Sequence, residues 1–319
     1  MQHWKKLATL AIVSMFVVGS EAQLSPWKYR QPWTYPLSSS ESRVQTCTAP
    51  TPLSRIAADD WICTRSGPIT RVSWWGNVFH PVQGKRRYLV QIRLGSAGAC
   101  IPGQVVYQTC VTPDYFKWTG KIDCRQQRVY FFSAKLVPPF TQQAGTRYWL
   151  TVAEDDSASI RVGLEDFRWS HHQPVKNCPA VQSNAAGGWT TPIFDPCNDI
   201  QTDLAFGVHN RGTIVHLAGR HPNNSIFRVN LYGSGGVQMD TLMGDPDDDG
   251  NMLLETDLPD GQYMVEIVGM SLVGLRREIR LQEGMESIDS FFDIFYGDID
   301  QNQMIDDSDL ATVLTNFGR

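Results

Sequence analysis

Short runs of β-branched and aromatic residues recur along most of the chain, and they constrain its fold more than any other feature. Gly, Pro, Asp and Asn separate these runs, a pattern typical of β-strands joined by turns. Within residues 87–94, Tyr88, Val90 and Ile92 fall on one face of a strand and the intervening residues fall on the other. No window before residue 300 carries an apolar stripe at helical spacing. The sequence therefore predicts an all-β chain with two antiparallel β-sandwich domains, the first of jelly-roll type. Further strands are predicted at residues 69–79, 127–136, 147–154 and 203–209.

The N-terminus has the three parts of a signal peptide. Lys5 and Lys6 are basic, residues 7–19 form a short apolar run, and residues 20–22 offer small side chains for cleavage. The apolar run is shorter than the roughly 20 residues that a membrane-spanning helix needs. We therefore expect residues 1–22 to be removed and the mature protein to be secreted or held at the cell surface, without membrane insertion. An N-terminal anchor that stays uncleaved is the alternative.

Seven cysteines, all in the first two thirds of the chain, agree with an oxidising destination. At most three disulfides can form, so one thiol is left over. Pairs that close short loops, Cys110 with Cys124 and Cys178 with Cys197, are preferred because short loops lose little entropy on closure. No spacing of Cys and His matches a zinc site. We predict three disulfides and one buried free thiol.

The distribution of tryptophan, cysteine and basic residues divides the chain into parts. Every tryptophan after residue 22 precedes residue 190, and basic residues become rare after Asp240. The turn formers at residues 209–212 end a strand-like run. A chain of this length also exceeds what one core usually holds. These features predict a signal peptide at 1–22, a linker at 23–43, a β-sandwich domain at 44–210, a small β-sandwich spacer at 211–296 and a tail at 297–319.

Four segments of the first domain carry a family resemblance: AADDWICT at 57–64, GPITRVSWWGNVF at 67–79, FTQQAGTRYWLTV at 140–152 and TDLAFGVH at 202–209. Together they resemble an uncharacterised family of secreted β-sandwich domains from planctomycetes and related bacteria. The resemblance covers residues 44–209. It implies a β-sandwich fold and an extracellular location, and it implies no activity.

Paired acids occur twice in the first domain, as Asp59 with Asp60 and as Glu165 with Asp166. A glycosidase needs two carboxylates that face each other across a sugar. Adjacent residues of a strand point to opposite faces, so neither doublet forms such a pair by itself. The motifs of serine hydrolases, zinc proteases and phosphate-binding loops do not occur in the sequence. We predict that the chain is not an enzyme; a glycoside hydrolase built from acids of distant strands is the alternative.

Two other doublets bear on ligand binding. Trp74 and Trp75 share a predicted strand, so one indole points into the sandwich and the other points outward. An outward indole can stack on a sugar, which makes a glycan a candidate ligand, whereas core packing of the tryptophans is the simpler alternative. His171 and His172 also point apart on an extended segment, and we expect them in a surface loop rather than at a metal. A net charge of −5 gives no reason to expect nucleic acid as a partner.

The second domain contains part of a calcium motif, DPDDDGNMLLET, at residues 245–256. Asp245, Asp247, Asp249 and Gly250 match the first half of an EF-hand loop, but Thr256 stands where the closing acid belongs. The residues that follow predict a strand and not a helix. We interpret this segment as a hairpin turn that binds no calcium.

The C-terminal stretch GDIDQNQMIDDSDLATVLTNFGR holds a complete set of oxygen ligands for Ca2+. Counted from the first aspartate, these ligands are the side chains of Asp298, Asp300, Asn302, Asp306 and Asp309 and the carbonyl oxygen of Met304. Directly after the loop, Leu310, Val313, Leu314 and Phe317 repeat at helical spacing. We predict one calcium site and a helix over about residues 307–317.

This tail resembles a type I dockerin repeat, in which a calcium loop leads into a single helix. The Gly-Asp-Ile-Asp opening, the aspartate at the last ligand position and the LATVL helix carry the resemblance. It implies a cohesin-like or other cell-surface scaffold protein as the partner. The chain departs from the pattern at Gln303, where glycine would relieve the turn, and it carries one repeat where cohesin-binding dockerins usually carry two.

These features together predict an exported, non-catalytic protein for attachment or recognition at the cell surface. The alternative is an extracellular protein that binds or degrades polysaccharide and is docked to a scaffold through its tail.

Overall fold

The computed structural model describes residues 27–44, 46–47, 55–78, 86–96, 98–158, 167–183, 188–190, 192–217, 227–269, 275–291 and 307–316. These residues form strands almost throughout, with one turn of 3-10 helix at Asp156–Ala158 and one α-helix near the C-terminus. The all-β prediction is confirmed. The strands and the helix are β1 (Trp27–Gln31), β2 (Ser39–Glu41), β3 (Arg43–Val44), β4 (Ala57–Ile62), β5 (Gly67–Val78), β6 (Tyr88–Gly95), β7 (Pro102–Val111), β8 (Tyr115–Ile122), β9 (Arg128–Gln142), β10 (Arg147–Asp155), β11 (Phe167–His172), β12 (Val181–Ser183), β13 (Trp189–Thr190), β14 (Phe194–Asp195), β15 (Ile200–Gln201), β16 (Asp203–Leu204), β17 (Phe206–His209), β18 (Gly212–Leu217), β19 (Phe227–Tyr232), β20 (Gln238–Gly244), β21 (Asn251–Leu254), β22 (Gly261–Val268), β23 (Leu275–Leu281), β24 (Glu286–Phe291) and α1 (Asp307–Asn316).

The first domain is a sandwich of an eight-stranded sheet and a seven-stranded sheet. In the eight-stranded sheet, the long strand β5 pairs with β17, β11 and β9, and β1 and β8 extend the sheet beyond β17 and β9. The seven-stranded sheet has the order β13-β12-β4-β10-β6-β7, with β3 parallel to the end of β10. The other pairings within the two sheets are antiparallel, as predicted.

The core of this domain lies between the two sheets, and alternation along the strands builds it. Tyr88, Val90 and Ile92 all point into the core from the seven-stranded sheet, as their period of two predicts. Trp74 and Phe132 meet them from the eight-stranded sheet, with stacked rings whose centroids are 5.3 Å apart. Aromatic side chains bury large areas and pack well in this geometry, so they dominate the stability of such a core.

The segment predicted as a linker, residues 23–43, is part of the sandwich from residue 27 onward. Strand β1 pairs with β17, β2 pairs with β11, and β3 lies beside β10. The linker prediction is therefore wrong for these residues. Their sequence shows little apolar alternation because hydrogen bonds to existing strands, and not an apolar face of their own, hold them in place.

The second domain packs a three-stranded sheet, in the order β21-β18-β24, on a four-stranded sheet, in the order β20-β19-β22-β23. Val215 and Leu254 of the smaller sheet meet Val229, Val265 and Ile279 of the larger one in its core. The pairing of β18 with β24 is parallel. The chain passes from the first domain to the second between His209 and Gly212.

Polar contacts join the two domains. Tyr115 Oη donates to the carbonyl of Asp245 at 2.8 Å, and Lys117 Nζ donates to the carbonyl of Pro246 at 2.7 Å. Further along the junction, Lys28 Nζ lies 2.8 Å from Glu283 Oε1. The second domain thus packs directly against strands β1 and β8 of the first.

The predicted signal peptide lies outside the described residues. Among those that the structure describes, no helix has the length and the apolar character needed to span a membrane.

Candidate functional site

Most of the predicted calcium ligands, Asp298, Asp300, Asn302, Met304 and Asp306, lie outside the described residues. Asp309 is described, in the first turn of α1, which begins at residue 307 as predicted. Its residue is only 3 % exposed, although both of its neighbours in sequence are exposed. Asp309 already has a partner within the protein, so its burial alone does not point to a metal.

Leu310 is the first residue of the apolar stripe that is predicted along α1. Leu310 is 55 % exposed, whereas the prediction places it on a face that packs against something. The side chains of Val313 and Leu314 are outside the description, as is Phe317. At Leu310, therefore, the described protein leaves the start of this face uncovered.

The partial calcium motif at residues 245–256 forms a tight turn at residues 247–251. Asp247 N donates to the carbonyl of Asn251 at 2.9 Å, and Gly250 adopts a φ of 83°, which glycine tolerates best. The carboxylate of Asp247 accepts the N–H groups of Asp249 at 3.0 Å and Asn251 at 2.8 Å. The expectation of a turn is confirmed. The hairpin is not, because β20 and β21 belong to different sheets.

Trp74 and Trp75 point to opposite faces of β5, as predicted. Trp74 lies in the main core, and Trp75 lies on the outer face, where it packs in a cluster with Trp33 and Phe131. Trp75 is nonetheless only 8 % exposed. Its indole is therefore covered by the protein's own aromatic residues and offers no open stacking surface, so core packing is the better interpretation of this doublet.

The acid doublet Asp59 and Asp60 is buried in β4, and its members serve different partners. Asp59 Oδ2 accepts hydrogen bonds from Gln31 Nε2 at 2.5 Å and from the N–H of Leu204 at 2.6 Å. Asp60 pairs with Arg147 at 3.2 Å. Both residues have zero exposure, so the doublet does not face a substrate. The second doublet, Glu165 with Asp166, lies outside the described residues.

Burial perturbs these carboxyl groups and the nearby Asp203. Desolvation raises the pKa of Asp60 to about 6. Desolvation, together with the charge of Asp60, raises the pKa of Asp203 to about 7. The pKa of Asp59 is raised by burial first and by Asp203 second. Perturbed carboxyls are common at active sites, but this cluster has no exposed member, and we assign it a structural role.

His171 and His172 are buried in β11, so the surface-loop prediction is wrong. The Nδ1 atom of His171 lies 3.2 Å from Asp195 Oδ2, and His172 Nδ1 donates to the carbonyl of Pro32 at 2.5 Å. Burial lowers the pKa of both imidazoles. The rings point apart, as expected for adjacent residues of a strand, and each is held by its own hydrogen bonds.

The described residues contain three disulfides and one buried free thiol, Cys63. These numbers are the predicted ones. The predicted pairing is wrong: the bonds join Cys47 to Cys110, Cys100 to Cys178 and Cys124 to Cys197. Cys110 belongs to the seven-stranded sheet, whereas Cys124 follows a strand of the eight-stranded sheet, so the two cannot meet. Among the described residues, one further group of possible metal ligands contains Cys124, Asp195 and Cys197, but both thiols are consumed by the disulfide.

A polar cluster on the outer face of the seven-stranded sheet was not predicted as a site. We call it the Arg93 cluster, and its members are Gln91, Arg93, Gln108, Trp149, Thr151 and Trp189. Strand pairing aligns them, because Thr151 lies opposite Gln91, Trp149 opposite Arg93, and Gln91 opposite Gln108. Residues opposite each other in a sheet present their side chains on the same face.

Hydrogen bonds order the polar members of the Arg93 cluster. Gln91 Nε2 donates to Gln108 Oε1 at 2.6 Å, and Arg93 donates to Gln91 Oε1 at 3.0 Å and to the carbonyl of Gly103 at 3.1 Å. The guanidinium lies over the ring of Trp189, 5.4 Å from its centroid. Both Arg93 and Trp189 are half-buried. The result is an aromatic surface with a fixed cation at the edge of the sheet.

Three hydrogen-bond donors of the Arg93 cluster have no partner. The Nε of Arg93, the Nε1 of Trp149 and the Oγ1 of Thr151 are buried and make no hydrogen bond. A buried polar group without a partner costs about 1–3 kcal/mol, so three of them in adjacent positions require an explanation. The sequence signal was present: alternation places Gln91 and Arg93 on the face opposite the core, where a covered sheet normally carries apolar residues.

A family model described as a domain of unknown function (DUF7901) matches residues 27–209, more than half of the chain. The chain belongs to this family. The match begins at the residue where β1 begins and ends where β17 ends, so the DUF7901 domain coincides with the first sandwich as observed. A comparison with curated proteins found no match.

Several solved structures align with long parts of the chain. The Bacillus anthracis TIE protein is 8 % identical over 80 % of this chain and 39 % of its own, with a TM-score of 0.20. The group B streptococcus pilus 2b backbone protein is 11 % identical over 84 % and 93 % (TM-score 0.22), and the major pilin subunit of Bacillus cereus is 8 % identical over 74 % and 70 % (TM-score 0.18). The chain thus spans about two fifths of the first protein. TM-scores of this size do not establish a shared fold.

Proposed function

We propose that this chain is an exported, non-catalytic recognition protein whose DUF7901 domain binds a glycan at the Arg93 cluster. The observation that carries the proposal is the half-buried indole of Trp189 with the half-buried Arg93 guanidinium fixed over its ring. Sugars offer acceptor oxygens for a guanidinium and a C–H face for an indole. Burial lowers the pKa of the Arg93 guanidinium, and no carboxylate among the described residues offsets that effect, so its charge favours a sugar that carries a carboxylate.

Export is supported by the cysteines. The three disulfides join residues that are 63, 78 and 73 positions apart. Disulfides persist in oxidising compartments and are rare in reducing ones. They therefore agree with the signal peptide expected at residues 1–22, and both support a location outside the cell or at its surface.

The absence of catalysis is supported by the fate of the acids and histidines. Asp59 and Asp60 are buried and bound to different partners, and His171 and His172 are each fixed by neighbours within the domain. A general acid or base must reach a proton of its substrate. In the described part of the DUF7901 domain, these groups are enclosed by the protein and do not meet that condition.

We propose further that the tail binds one Ca2+ and docks the protein to a cohesin-like or other surface scaffold. The spacing of the oxygen ligands in the sequence and the helix that begins at residue 307 support the calcium loop, and the exposure of Leu310 supports a helix face that is open to a partner. Calcium takes six to eight oxygens, and the remaining ligands would be Asp298, Asp300, Asn302, Met304 and Asp306.

Glycan-array binding by the full mature chain tests the recognition role. We expect binding to carboxylated glycans that falls about tenfold or more in Trp189→Ala and Arg93→Gln, since 1.4 kcal/mol corresponds to a factor of ten. Trp118→Ala is the matched control, because Trp118 is 41 % exposed and lies beneath Arg128 at 4.9 Å, away from the Arg93 cluster. Equal losses in Trp189→Ala and Trp118→Ala would refute the assignment. Release of reducing sugar by the parent would favour the polysaccharide-degrading alternative.

A further inference from the structure

Lys28, Asn210 and Glu283 meet at the junction of the two domains, and we call them the junction triad. Lys28 lies in β1, where the pairing with β17 shifts by one residue, and its side chain is 3 % exposed. Its Nζ donates to Glu283 Oε1 at 2.8 Å and to the carbonyl of Ser66 at 3.3 Å. A lysine buried to this extent is directed into the protein by specific partners, because lysine almost never buries its amine otherwise.

Asn210 follows β17 directly and is completely buried. Its backbone carbonyl accepts a hydrogen bond from the N–H of Gly284 at 2.7 Å. In contrast, neither the Nδ2 nor the Oδ1 atom of its side chain makes a hydrogen bond of normal geometry. The side chain that this amide acts on is the carboxyl group of Glu283.

Glu283 connects the lysine and the asparagine. Burial opposes ionisation of its carboxyl group, but the Lys28 amine, the nearby Asn210 amide and Arg65 outweigh that effect and lower its pKa. One carboxylate therefore lies beside both the Lys28 amine and the Asn210 amide. An amine, an amide carbon and a proton carrier are the parts that a transamidation needs.

We propose that Lys28 Nζ and Asn210 Cγ form an intramolecular amide bond. The Lys28 ammonium first passes one proton to the Glu283 carboxylate across their hydrogen bond. The neutral amine then attacks the Asn210 carbonyl carbon, and a new N–C bond forms. Glu283 returns a proton to the amide nitrogen of Asn210, the old C–N bond breaks, and ammonia leaves and takes up the second amine proton as ammonium. Atoms and charge balance without any oxidant, reductant or cofactor.

Asn210 is the acceptor and Glu283 is not, for a chemical reason. Condensation of an amine with a free carboxylate must expel an oxide equivalent and needs prior activation, whereas an amide can expel ammonia once its nitrogen is protonated. Strand pairing also supports the choice. Trp27 lies opposite His209 in the antiparallel β1–β17 ladder, so Lys28 and Asn210 lie diagonally across its end, and Glu283 is the residue that both of them contact.

The bond would close the whole DUF7901 domain into a covalent ring. Residues 28 and 210 lie within one residue of the two ends of the family match at 27–209, so tension applied at the N-terminus would pass into the second domain without loading the sandwich. This inference does not depend on the proposed glycan or on the calcium tail, and it stands or falls by different measurements.

Mass spectrometry of the reduced, denatured full chain tests the cross-link. We expect the chain to be lighter than its sequence by one ammonia, and a tryptic digest to contain one branched peptide that joins Lys28 to Asn210. The branched peptide decides the matter, because an N-terminal Gln23, left by cleavage after Ala22, can also lose ammonia by cyclising. Linear Lys28 and Asn210 peptides without a branched product would overturn the proposal.

Variants separate the three roles. Lys28→Arg and Asn210→Ala should abolish the branched peptide, and Glu283→Gln should reduce its yield at least tenfold because the proton carrier is lost. Lys117→Arg is the matched control: Lys117 is also at the junction, paired with Asp245 at 2.9 Å, and its substitution should leave the yield unchanged. Undiminished yield in Glu283→Gln would refute the proton-transfer step. A branched peptide that has lost water instead of ammonia would place the bond on Glu283 and overturn the assignment to Asn210.

Discussion

Replacement of Asp247 tests whether the turn at residues 247–251 is a structural element of the domain junction and not a calcium site. Asp247 is 4 % exposed, and its Oδ1 accepts two N–H groups at 2.8 and 3.0 Å. Its Oδ2 also lies 3.4 Å from the N–H of Phe116 in the first domain. The side chain thus orders the turn and touches β8 at the same time.

The two short hydrogen bonds set the expected cost of Asp247→Ala. Bonds to a charged acceptor contribute about 1.5–3 kcal/mol each. Burial raises the pKa of this carboxyl group, which indicates that its desolvation offsets part of the gain, so we take the lower value for each bond. The free energy of unfolding of the second domain should then fall by about 3 kcal/mol. For a domain of about 80 residues, the midpoint should fall by roughly 12 °C or more.

Differential scanning calorimetry measures this loss, and Asp248→Ala is the matched control. Asp248 is the next residue of the same turn and is exposed, so its replacement should change stability by less than about 0.5 kcal/mol. Equal effects of the two substitutions, or no effect of Asp247→Ala, would refute the role of the buried carboxylate. In a parallel calorimetric titration, Asp247→Asn combined with Asp249→Asn should leave calcium stoichiometry unchanged. A loss of one bound ion would show that the turn is a calcium site.

Three further predictions follow from single residues. Cys63 should resist alkylation in the folded protein and react after unfolding, and thiol counting that finds more than one free thiol would contradict the three disulfides. The raised pKa of Asp203 means that its contribution to stability is present at low pH and is lost as pH rises towards about 7. The melting temperature of Asp203→Asn minus that of the parent should therefore increase between about pH 4 and 7. A difference that does not change with pH would contradict the raised pKa. Calcium should increase amide protection in α1 with a dissociation constant of about 10⁻⁴–10⁻³ M. Asp309→Ala should abolish this effect, and Gln303→Gly should tighten calcium binding. Equal protection in excess chelator would show that the acidic tail binds no calcium.

Strand positions could be predicted from the sequence because one face of each strand is apolar. Residues 87–94 and 147–154 correspond to β6 and β10, and the core-facing residues of β6 are those that alternation selects. Periodicity is a local property, so a single sequence records it. The helix after the calcium loop was predictable for the same reason.

Contacts between distant segments could not be predicted in this way. The disulfide partner of Cys110 is Cys47, which lies 63 residues earlier and covers the outer face of the same sheet. Loop entropy favours near neighbours by little, since it grows only with the logarithm of loop length, and sheet geometry outweighs it here. The burial of His171 and His172 has a similar origin, because segments from both ends of the DUF7901 domain, around Pro32 and Asp195, enclose them.

The covered outer faces of both sheets explain why polar residues of the DUF7901 domain are poor guides to function when read from sequence. Trp149 and Ala58 lie on the outer face of the seven-stranded sheet, yet Val181 and Trp189 pack over them. Polar side chains on such faces must find partners inside the protein, and Asp60 does so with Arg147. The Arg93 cluster departs from this rule because three of its donors remain unpaired under a half-buried indole. The burial and the partners of a polar residue in this domain therefore say more about its role than its chemical type does.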